Sequence, residues 1–263
     1  MLRTFLISCS QTLKSNDLNI MMLRRLSVVV QLSCVLLFGG CSPYRHALEL
    51  SPEKEIELRQ VPFFSQEGDQ CGPASLAMLL SYGGVLLTPG ILENYTFIPG
   101  IEGSLQAELM AASRRFGRIP YTIDASPSAL LEELQQNRPI LVLQNYGLDS
   151  MPAYHYAVVI GVDVAGHIIL RSGTRERVEM SLTTFLMSWR RPGSWGMIVL
   201  RPGELPARPD KERYLKAVSA FENAGYKAEA TPAYQAALAK WPEDDLVRFA
   251  LANNYLERGQ NDS

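Results

Sequence analysis

The residue best suited to chemistry in this chain is Cys71. The sequence has 263 residues and contains four cysteines, of which Cys9 and Cys34 lie in or before a segment expected to be removed on export. Cys41 is expected to carry lipid, so Cys71 is the one remaining cysteine of the predicted mature chain. A disulfide within that chain would need a second cysteine, which leaves a reactive thiol or an inert packing residue. A reactive thiol would serve as a nucleophile.

The residues after Cys71 predict a helix that begins close to it. Pro73 suits the first helical position, Gly83 suits the C-terminal cap, and an apolar stripe lies between them, formed by Leu76, Leu79 and Leu80. The positive end of a helix dipole stabilises a thiolate and lowers the pKa of the thiol. An inert cysteine would more naturally lie on the apolar stripe, so this position favours a catalytic nucleophile.

A cysteine nucleophile needs a base, and the chain offers three histidines, His46, His155 and His167. His46 lies in the segment just after Cys41 and is discounted. His155 opens a strand-like run of β-branched residues that ends near Val162, and His167 lies beyond the following turn. At about 3.3 Å per residue the last two histidines are too far apart for both to serve Cys71. His155, at the end of a predicted strand, is the expected base.

Gln66 is the candidate for holding an oxyanion. It lies five residues before Cys71, and its side-chain amide could donate a hydrogen bond beside the backbone N–H of that cysteine. Gln70 is a competing donor, and an ordinary solvated loop amide is the alternative interpretation of Gln66.

The run QEGDQCGPAS at residues 66–75, followed by HYAVVIG at residues 155–161, resembles the bacteriocin-processing peptidases of the papain clan, which cut leader peptides after double glycine. The similarity extends from Glu57 to Pro202. It includes predicted helices after Gly103 and from Pro127 to Asn137, and a strand over residues 138–143. The resemblance implies an α+β papain-like domain with an antiparallel sheet and an N-terminal nucleophile helix. It also implies that Cys71 attacks a peptide carbonyl while His155 acts as base and then as acid.

Two positions depart from that family's pattern. Gln66 lies five residues before the cysteine, where the family commonly has six. The family's histidine-orienting aspartate is expected in an Asp-Pro pair, where this chain has Arg-Ser-Gly at residues 171–173. Ser172 falls at the corresponding place and could accept a hydrogen bond, but it lacks the charge of a carboxylate. Glu176 is a second candidate, whereas Asp163 is expected at the wrong end of the sheet.

The N-terminal region predicts export and lipid attachment. A basic start after Met21, an apolar run from Leu26 to Phe38 and the residues Gly-Gly-Cys-Ser at 39–42 resemble a bacterial lipoprotein signal. We expect residues 1–40 to be an N-terminal extension and signal peptide, Cys41 to be lipidated and residues 41–56 to form a tether. Ser42 favours the outer membrane, with the protein facing the periplasm. An uncleaved anchor and ordinary secretion are the alternatives.

The C-terminal region predicts a small all-α segment. Residues 203–210 are rich in proline and suggest a linker after a peptidase domain at 57–202. Residues 211–263 show spacing typical of tetratricopeptide repeat helices, carried by Tyr214, Phe221, Ala230, Tyr234, Ala237, Pro242, Leu251, Ala252, Tyr255 and Gly259. This small number of repeats is not stable alone. We therefore expect the segment to pack against the peptidase domain or a protein partner. An amphipathic hairpin that braces the C-terminus is the alternative.

Composition and motifs exclude several functions. The net charge is -2 and no block of basic residues occurs, which argues against nucleic-acid binding. No zinc-like spacing or phosphate-binding glycine loop is present, so no cofactor or metal is predicted. The leading hypothesis is a membrane-tethered cysteine peptidase acting on a peptide or protein. The alternatives are a thiol acyltransferase on the same scaffold and an inactive envelope lipoprotein that binds peptides or proteins.

Overall fold

The computed structural model describes residues 50, 52–66 and 70–259. The predicted signal peptide, the lipidation site Cys41 and most of the tether lie outside the described residues. From Leu50 onward the chain forms one compact unit, which includes the C-terminal helices. None of the helices in this described part combines the length and the apolar character needed to cross a membrane.

The core of the unit is an antiparallel sheet. Its strands, among the described residues, are β1 (Ile56–Glu57), β2 (Ile119–Thr122), β3 (Ile140–Asn145), β4 (Tyr154–Val162), β5 (Ile168–Ser172), β6 (Arg175–Met180) and β7 (Gly196–Leu200). The strand order is β2-β7-β3-β4-β5-β6, and β1 pairs with the end of β4. Every paired strand is antiparallel, which confirms the predicted sheet.

Strand β4 is central because it pairs with three other strands. Its apolar run, Tyr156–Val162, is buried throughout, as expected of β-branched residues inside a sheet. Gly161 lets β1 approach closely: a Cβ atom at this position would lie 2.2 Å from the carbonyl oxygen of Ile56. A side chain there would force the two strands apart.

Helix α1 (Cys71–Tyr82) packs against the sheet and against two other helices of the fold. The remaining helices of the domain are α2 (Pro89–Thr96), α3 (Gln106–Arg115), α4 (Pro127–Gln135) and α5 (Leu182–Arg190). Residues 72–80 of α1 are all buried, so the helix is enclosed on every side and has no polar face along this stretch. The predicted helix and its Gly83 cap are confirmed, but the helix begins at Cys71, which makes Pro73 its third residue. The missing N–H of Pro73 costs little there because first-turn N–H groups have no intrahelical acceptor.

Three helices follow the sheet, α6 (Lys211–Asn223), α7 (Lys227–Lys240) and α8 (Asp245–Glu257). Helix α6 packs on β2, and the Arg213 guanidinium donates to the Asp124 carboxylate at 2.7 Å. The Tyr226 hydroxyl donates to the backbone oxygen of Arg115. The expected packing of this segment against the peptidase domain is therefore present. Its assignment to tetratricopeptide repeats stays a prediction.

Candidate active site

Cys71 is the first residue of α1 and is half-buried. The first turn of this helix contains no acidic residue, and the N-terminal cap residue Gln70 makes no side-chain capping hydrogen bond. The helix dipole therefore acts on the thiol without an opposing carboxylate on the same turn. This environment favours the thiolate form.

Cys71 and His155 line the same cavity, whose volume is about 650 Å³. The loop before α3 forms one wall, and residues at the start of β4 form another. The lining residues also include Ile101, Glu102, Gly103, Ser104, Leu105, Gln106, Leu143, Pro152, Tyr154, Tyr156 and Pro192. A cavity of this size can hold several residues of an extended peptide, with the thiol exposed to it.

Three contacts position His155. It lies on β4 opposite Gln144 of β3, and Tyr146 stacks on its ring with centroids 5.6 Å apart and planes inclined by 30°. Its Nε2 atom lies 3.0 Å from the Ser172 hydroxyl oxygen. Burial lowers the pKa of His155, which favours the neutral imidazole. A neutral imidazole is able to accept a proton from a thiol.

Ser172, and not Glu176, faces the imidazole. Ser172 is 9% exposed and lies at the end of β5. The Glu176 side chain is 67% exposed and lies 3.5 Å from the buried Arg171 guanidinium. Because Ser172 occupies Nε2, the Nδ1 atom of His155 is the nitrogen left for the thiol. In a cysteine–histidine pair, one ring nitrogen exchanges a proton with the thiol while the other is held by an orienting group.

Tyr156 and Ser104 form the wall of the cavity beside the thiol. Burial raises the pKa of Tyr156, and the negative charge of a Cys71 thiolate raises it further, so the phenol remains protonated. Its hydroxyl donates to the backbone oxygen of Ser104 at 3.2 Å. Gly72 allows this wall to approach, because a Cβ atom there would lie 2.5 Å from the Ser104 hydroxyl oxygen. The residue after the nucleophile must therefore be glycine for this loop to pack as it does.

Gln66 clamps the loop that precedes α1. Its Nε2 donates to the Ser75 hydroxyl at 2.9 Å, and its Oε1 accepts from the Gly173 N–H at 2.9 Å. Its backbone N–H donates to the Gly173 carbonyl at 3.1 Å. Ser75 lies one turn after Cys71 on the same face of α1, so the Gln66 amide is held near the nucleophile. Gln66 is not among the described residues that line the cavity, and its role in holding an oxyanion stays a prediction.

A buried arginine anchors the same loop from the other side. The Arg171 guanidinium donates to the backbone oxygens of Arg59 at 3.2 Å and of Val61 at 3.1 Å. It also donates to the backbone oxygen of Glu176 at 2.6 Å. Arg171 therefore ties the chain before the nucleophile to the hairpin that carries Ser172.

The other histidines lie elsewhere. His167 pairs with Asp163 at the opposite end of the β4–β5 hairpin, where Nδ1 is 2.7 Å from a carboxylate oxygen. His46 lies outside the described residues. Within the described part of the chain, no group of three His, Cys, Asp or Glu side chains could hold a metal ion.

Sequence reasoning missed the tyrosine and the glutamine next to the histidine. Gln144 lies on β3 opposite His155, and Tyr146, just after β3, stacks on the His155 ring and donates to Gln144. A signal for Gln144 was present in the sequence, because a buried strand that reads ILVLQN ends in two polar residues after four apolar ones. Polar side chains at buried strand positions require partners, which marks them as part of a site or network.

Three solved structures are similar to part of this chain. A C39-like peptidase from Bacillus anthracis is similar over 57% of this chain and 98% of its own, at 18% identity and a TM-score of 0.47. A double glycine motif protease from an AMS/PCAT transporter, solved with a leader peptide, is similar over 57% of this chain and 95% of its own, at 19% identity and a TM-score of 0.44. The peptidase domain of Streptococcus ComA is similar over 53% of this chain and 96% of its own, at 19% identity and a TM-score of 0.42.

No curated protein matches the sequence significantly. The profile of the Peptidase_C39 like family matches residues 58–196, which is more than half of the chain. This range contains the nucleophile helix, the histidine strand and Ser172. The protein is a member of the Peptidase_C39 like family.

Proposed function

We propose that this protein is a cysteine peptidase that hydrolyses peptide bonds, with Cys71 as the nucleophile and His155 as the general base and acid. The observation that carries the proposal is the shared cavity: the thiol at the start of α1 and the imidazole at the start of β4 line one 650 Å³ space. The Cys71 thiolate would attack the scissile carbonyl, and His155 would then protonate the leaving amine. Water, activated by His155, would release the acyl group.

The tetrahedral oxyanion would be stabilised by the N-terminus of α1, together with the Gln66 amide. Helix N-terminal N–H groups are suited to a developing negative charge. Gln66 keeps a second Nε2 hydrogen besides the one it donates to Ser75. Support for this part of the proposal comes from the position of Ser75, one turn from the nucleophile.

The rim of the cavity suits a peptide with apolar side chains. Ile101, Leu105 and Tyr154 line the cavity and are 54%, 47% and 60% exposed. The Glu102 carboxylate lies on the same loop. Exposed apolar side chains around a nucleophile bury a substrate chain and align its scissile bond.

The protein would act at the cell envelope, anchored in the outer membrane by lipid on Cys41 and facing the periplasm. The support is the sequence pattern alone, namely the apolar run and the Gly-Gly-Cys-Ser motif. Metabolic labelling with a palmitate analogue tests this. Label is expected on the wild type and absent from Cys41→Ala, while Cys71→Ala, the matched control, stays labelled.

The peptidase proposal is tested by incubating the purified full-length protein with a peptide pool that includes double-glycine sequences, followed by mass spectrometry. New termini are expected with the wild type and with His167→Ala, a control at the end of the β4–β5 hairpin away from the cavity. They are expected to disappear in Cys71→Ala. Peptides joined to an added amine would instead show an acyltransferase.

Alkylation of Cys71 by iodoacetamide as a function of pH tests the thiol without a substrate. We expect an apparent thiol pKa well below the value of about 8.5 for an ordinary cysteine, and a rise in His155→Ala. The absence of any Cys71-dependent product, together with an ordinary thiol pKa, would contradict the peptidase. The alternative is an inactive binding module with the same fold. The serine at position 172, where the family has an aspartate, favours that alternative.

A further inference from the structure

A second cavity, at the C-terminal end of α1, is lined by arginines. Among its described lining residues, Arg118, Arg138 and Arg201 share a volume of about 340 Å³ with one carboxylate, that of Glu204. We propose that this cavity binds a phosphate group, held by the three guanidinium groups. Its described lining residues are all different from those of the cavity that contains Cys71, so this inference goes beyond the proposed function and does not depend on it.

The pairing of three strands brings these arginines together. Arg118 lies just before β2, Arg138 lies two residues before β3 and Arg201 lies just after β7. Strand β7 lies between β2 and β3 and runs antiparallel to both, so its end lies beside their starts. Ile119 is paired with Leu200, which places the neighbouring Arg118 and Arg201 on adjacent strands. The sheet therefore gathers three positive charges at one of its ends.

Arg118 has a partly buried charge that no carboxylate neutralises. Its guanidinium donates to the carbonyl oxygens of Gly83, at 2.7 Å, and of Gly117, at 3.1 Å. Its Nε is buried and has no hydrogen-bond partner among the described residues. Burial lowers the pKa of Arg118, the charge of Arg201 lowers it further, and the Glu204 carboxylate acts in the opposite direction. A bound anion would offset the cost of burying this charge.

The other two guanidinium groups keep donors for a ligand. Arg138 Nε donates to the Glu133 carboxylate at 2.5 Å, while its terminal nitrogens form no hydrogen bond within the described chain. Arg201 Nε lies 3.8 Å from one Glu204 oxygen, and the other oxygen accepts from the Arg201 backbone N–H at 2.9 Å. Both groups can therefore present terminal N–H groups to an oxyanion, as arginine does in phosphate sites.

The neutral polar groups of the cavity are also donors. The side-chain amides of Gln136 and Asn137 are exposed and form no hydrogen bond with the described residues. Burial raises the pKa of Tyr82, so its phenol keeps the hydrogen. The remaining lining residues are Leu79, Gly83, Pro139 and Val199. The negative end of the α1 dipole opposes an anion here, but Arg118 covers the Gly83 carbonyl.

The balance of charges favours phosphate over other ligands. Glu133 neutralises Arg138 and Glu204 lies near Arg201, which leaves the charge of Arg118 in excess. Like charges that line one cavity repel each other, and a cavity with an excess of one sign attracts the opposite ion. A phosphate group has oxygens in several directions and can meet guanidinium groups from three strands. A planar carboxylate has two oxygens and would leave part of this donor set unused.

The test is calorimetric titration of the full-length protein with inorganic phosphate at constant ionic strength. We expect saturable binding at one site, with a Kd of about 1 mM or lower. Arg118→Gln and Arg201→Gln should each raise that Kd by roughly 10-fold, because each removes a charge-assisted hydrogen bond. Arg248→Gln, which removes an exposed α8 arginine paired with Glu243 at 2.9 Å, is the matched control and should bind like the wild type.

Two further variants keep the test decisive. Arg118 also covers the end of α1, so its loss could disturb the fold, whereas the Arg201 side chain is 63% exposed and its replacement should leave the fold intact. Arg201→Lys keeps the charge without the planar fork and should give an intermediate Kd. Cys71→Ala should bind phosphate like the wild type, so failure of the proposed peptidase would leave this inference standing.

Two other ligands identify what the site selects. Tighter binding of glycerol 3-phosphate than of inorganic phosphate would indicate a phosphate ester as the ligand, and equal binding would indicate free phosphate. Both results support the phosphate site. Acetate that binds as tightly as phosphate would overturn the choice of phosphate. The absence of saturable phosphate binding, or a Kd that is unchanged in Arg201→Gln, would overturn the site itself.

Discussion

The two described histidines lie at opposite ends of one hairpin and have opposite partners. His155, at the start of β4, is half-buried and faces the neutral hydroxyl of Ser172 at 3.0 Å. His167, just before β5, has a side chain that is 43% exposed and faces the Asp163 carboxylate at 2.7 Å. The pair that resembles a conventional histidine–carboxylate couple is therefore the one farther from the cysteine.

This difference shows that a carboxylate partner does not mark the histidine that shares a cavity with Cys71. Asp163 also accepts hydrogen bonds from the backbone N–H groups of Ala165 and His167, so it organises the turn between β4 and β5. His155 shares a cavity with Cys71, and its partner is the buried neutral hydroxyl of Ser172. Proximity to Cys71, and not the charge of the partner, distinguishes the two sites.

The largest difference is expected when each histidine is removed in turn. His155→Ala should lower kcat/KM for a cleaved peptide by roughly 100-fold or more, because general-base catalysis is lost. His167→Ala, the matched control at the other end of the hairpin, should stay within about twofold of the wild type, since His167 does not line the cavity that holds Cys71. Steady-state kinetics of both variants measures this. Equal losses would contradict the assignment of His155 as the base.

Placing a carboxylate at position 172 would make the two ends of the hairpin alike. Ser172→Asp should raise the pKa of His155 by about one unit or more, because a negative charge near Nε2 favours the imidazolium. An NMR titration of the His155 ring measures the shift. Ser181→Asp, which adds the same charge at the exposed cap of α5, is the matched control. An unchanged pKa in Ser172→Asp would show that position 172 does not face the ring.

The pH dependence of stability should also distinguish the two sites. Burial lowers the pKa of His155 from its ordinary value of 6.5, so the unfolded state binds the proton more readily than the folded state. The free energy of unfolding should therefore fall as the pH drops from 6.5 toward the lower folded-state pKa. Urea unfolding between pH 7 and 5 measures this. His155→Gln should flatten the dependence, and an unchanged slope would contradict a buried neutral imidazole.

The smallest effect is expected at the exposed pair. Partial burial tends to raise the pKa of Asp163, but hydrogen bonds from His167 outweigh it and lower the pKa below 3.8. Its stabilising effect should be present above pH 3.8 and disappear as the pH falls through the folded-state pKa. Asp163→Asn keeps an acceptor for the turn, so at pH 5 it should reduce the free energy of unfolding by less than about 1 kcal/mol. A larger loss in urea unfolding would show that the turn needs the charge itself.

Much of the site was predictable from local patterns. The helix after Cys71, the strand that begins near His155 and the separation of His155 from His167 follow from periodicity and from the rise of a strand. Gln66 was identified by its distance from the cysteine, but its hydrogen bonds to Ser75 and Gly173 depend on the fold. Those partners lie on α1 and just after β5, and no local pattern reports such a contact.

The polar contacts around His155 could not be predicted from local patterns for the same reason. Gln144, Ser172 and Ser188 come from three separate elements, and each alone is an ordinary polar residue. The choice between Ser172 and Glu176 depends on the pairing of β4 with β5, where Val158 lies opposite Arg171. A shift of this register by one residue would turn the other face of β5 toward His155.

From the residue pattern alone, Cys71 could be predicted as the nucleophile and His155 as the base, and the α+β class and the family resemblance could be recognised, because helix and strand periods and short motifs are local properties. Only the tertiary structure decided which side chain faces Nε2 of His155, how Gln66 is held and which groups close the cavity. These contacts join residues far apart in the chain, and they form only when the sheet sets its register and α1 is buried against it.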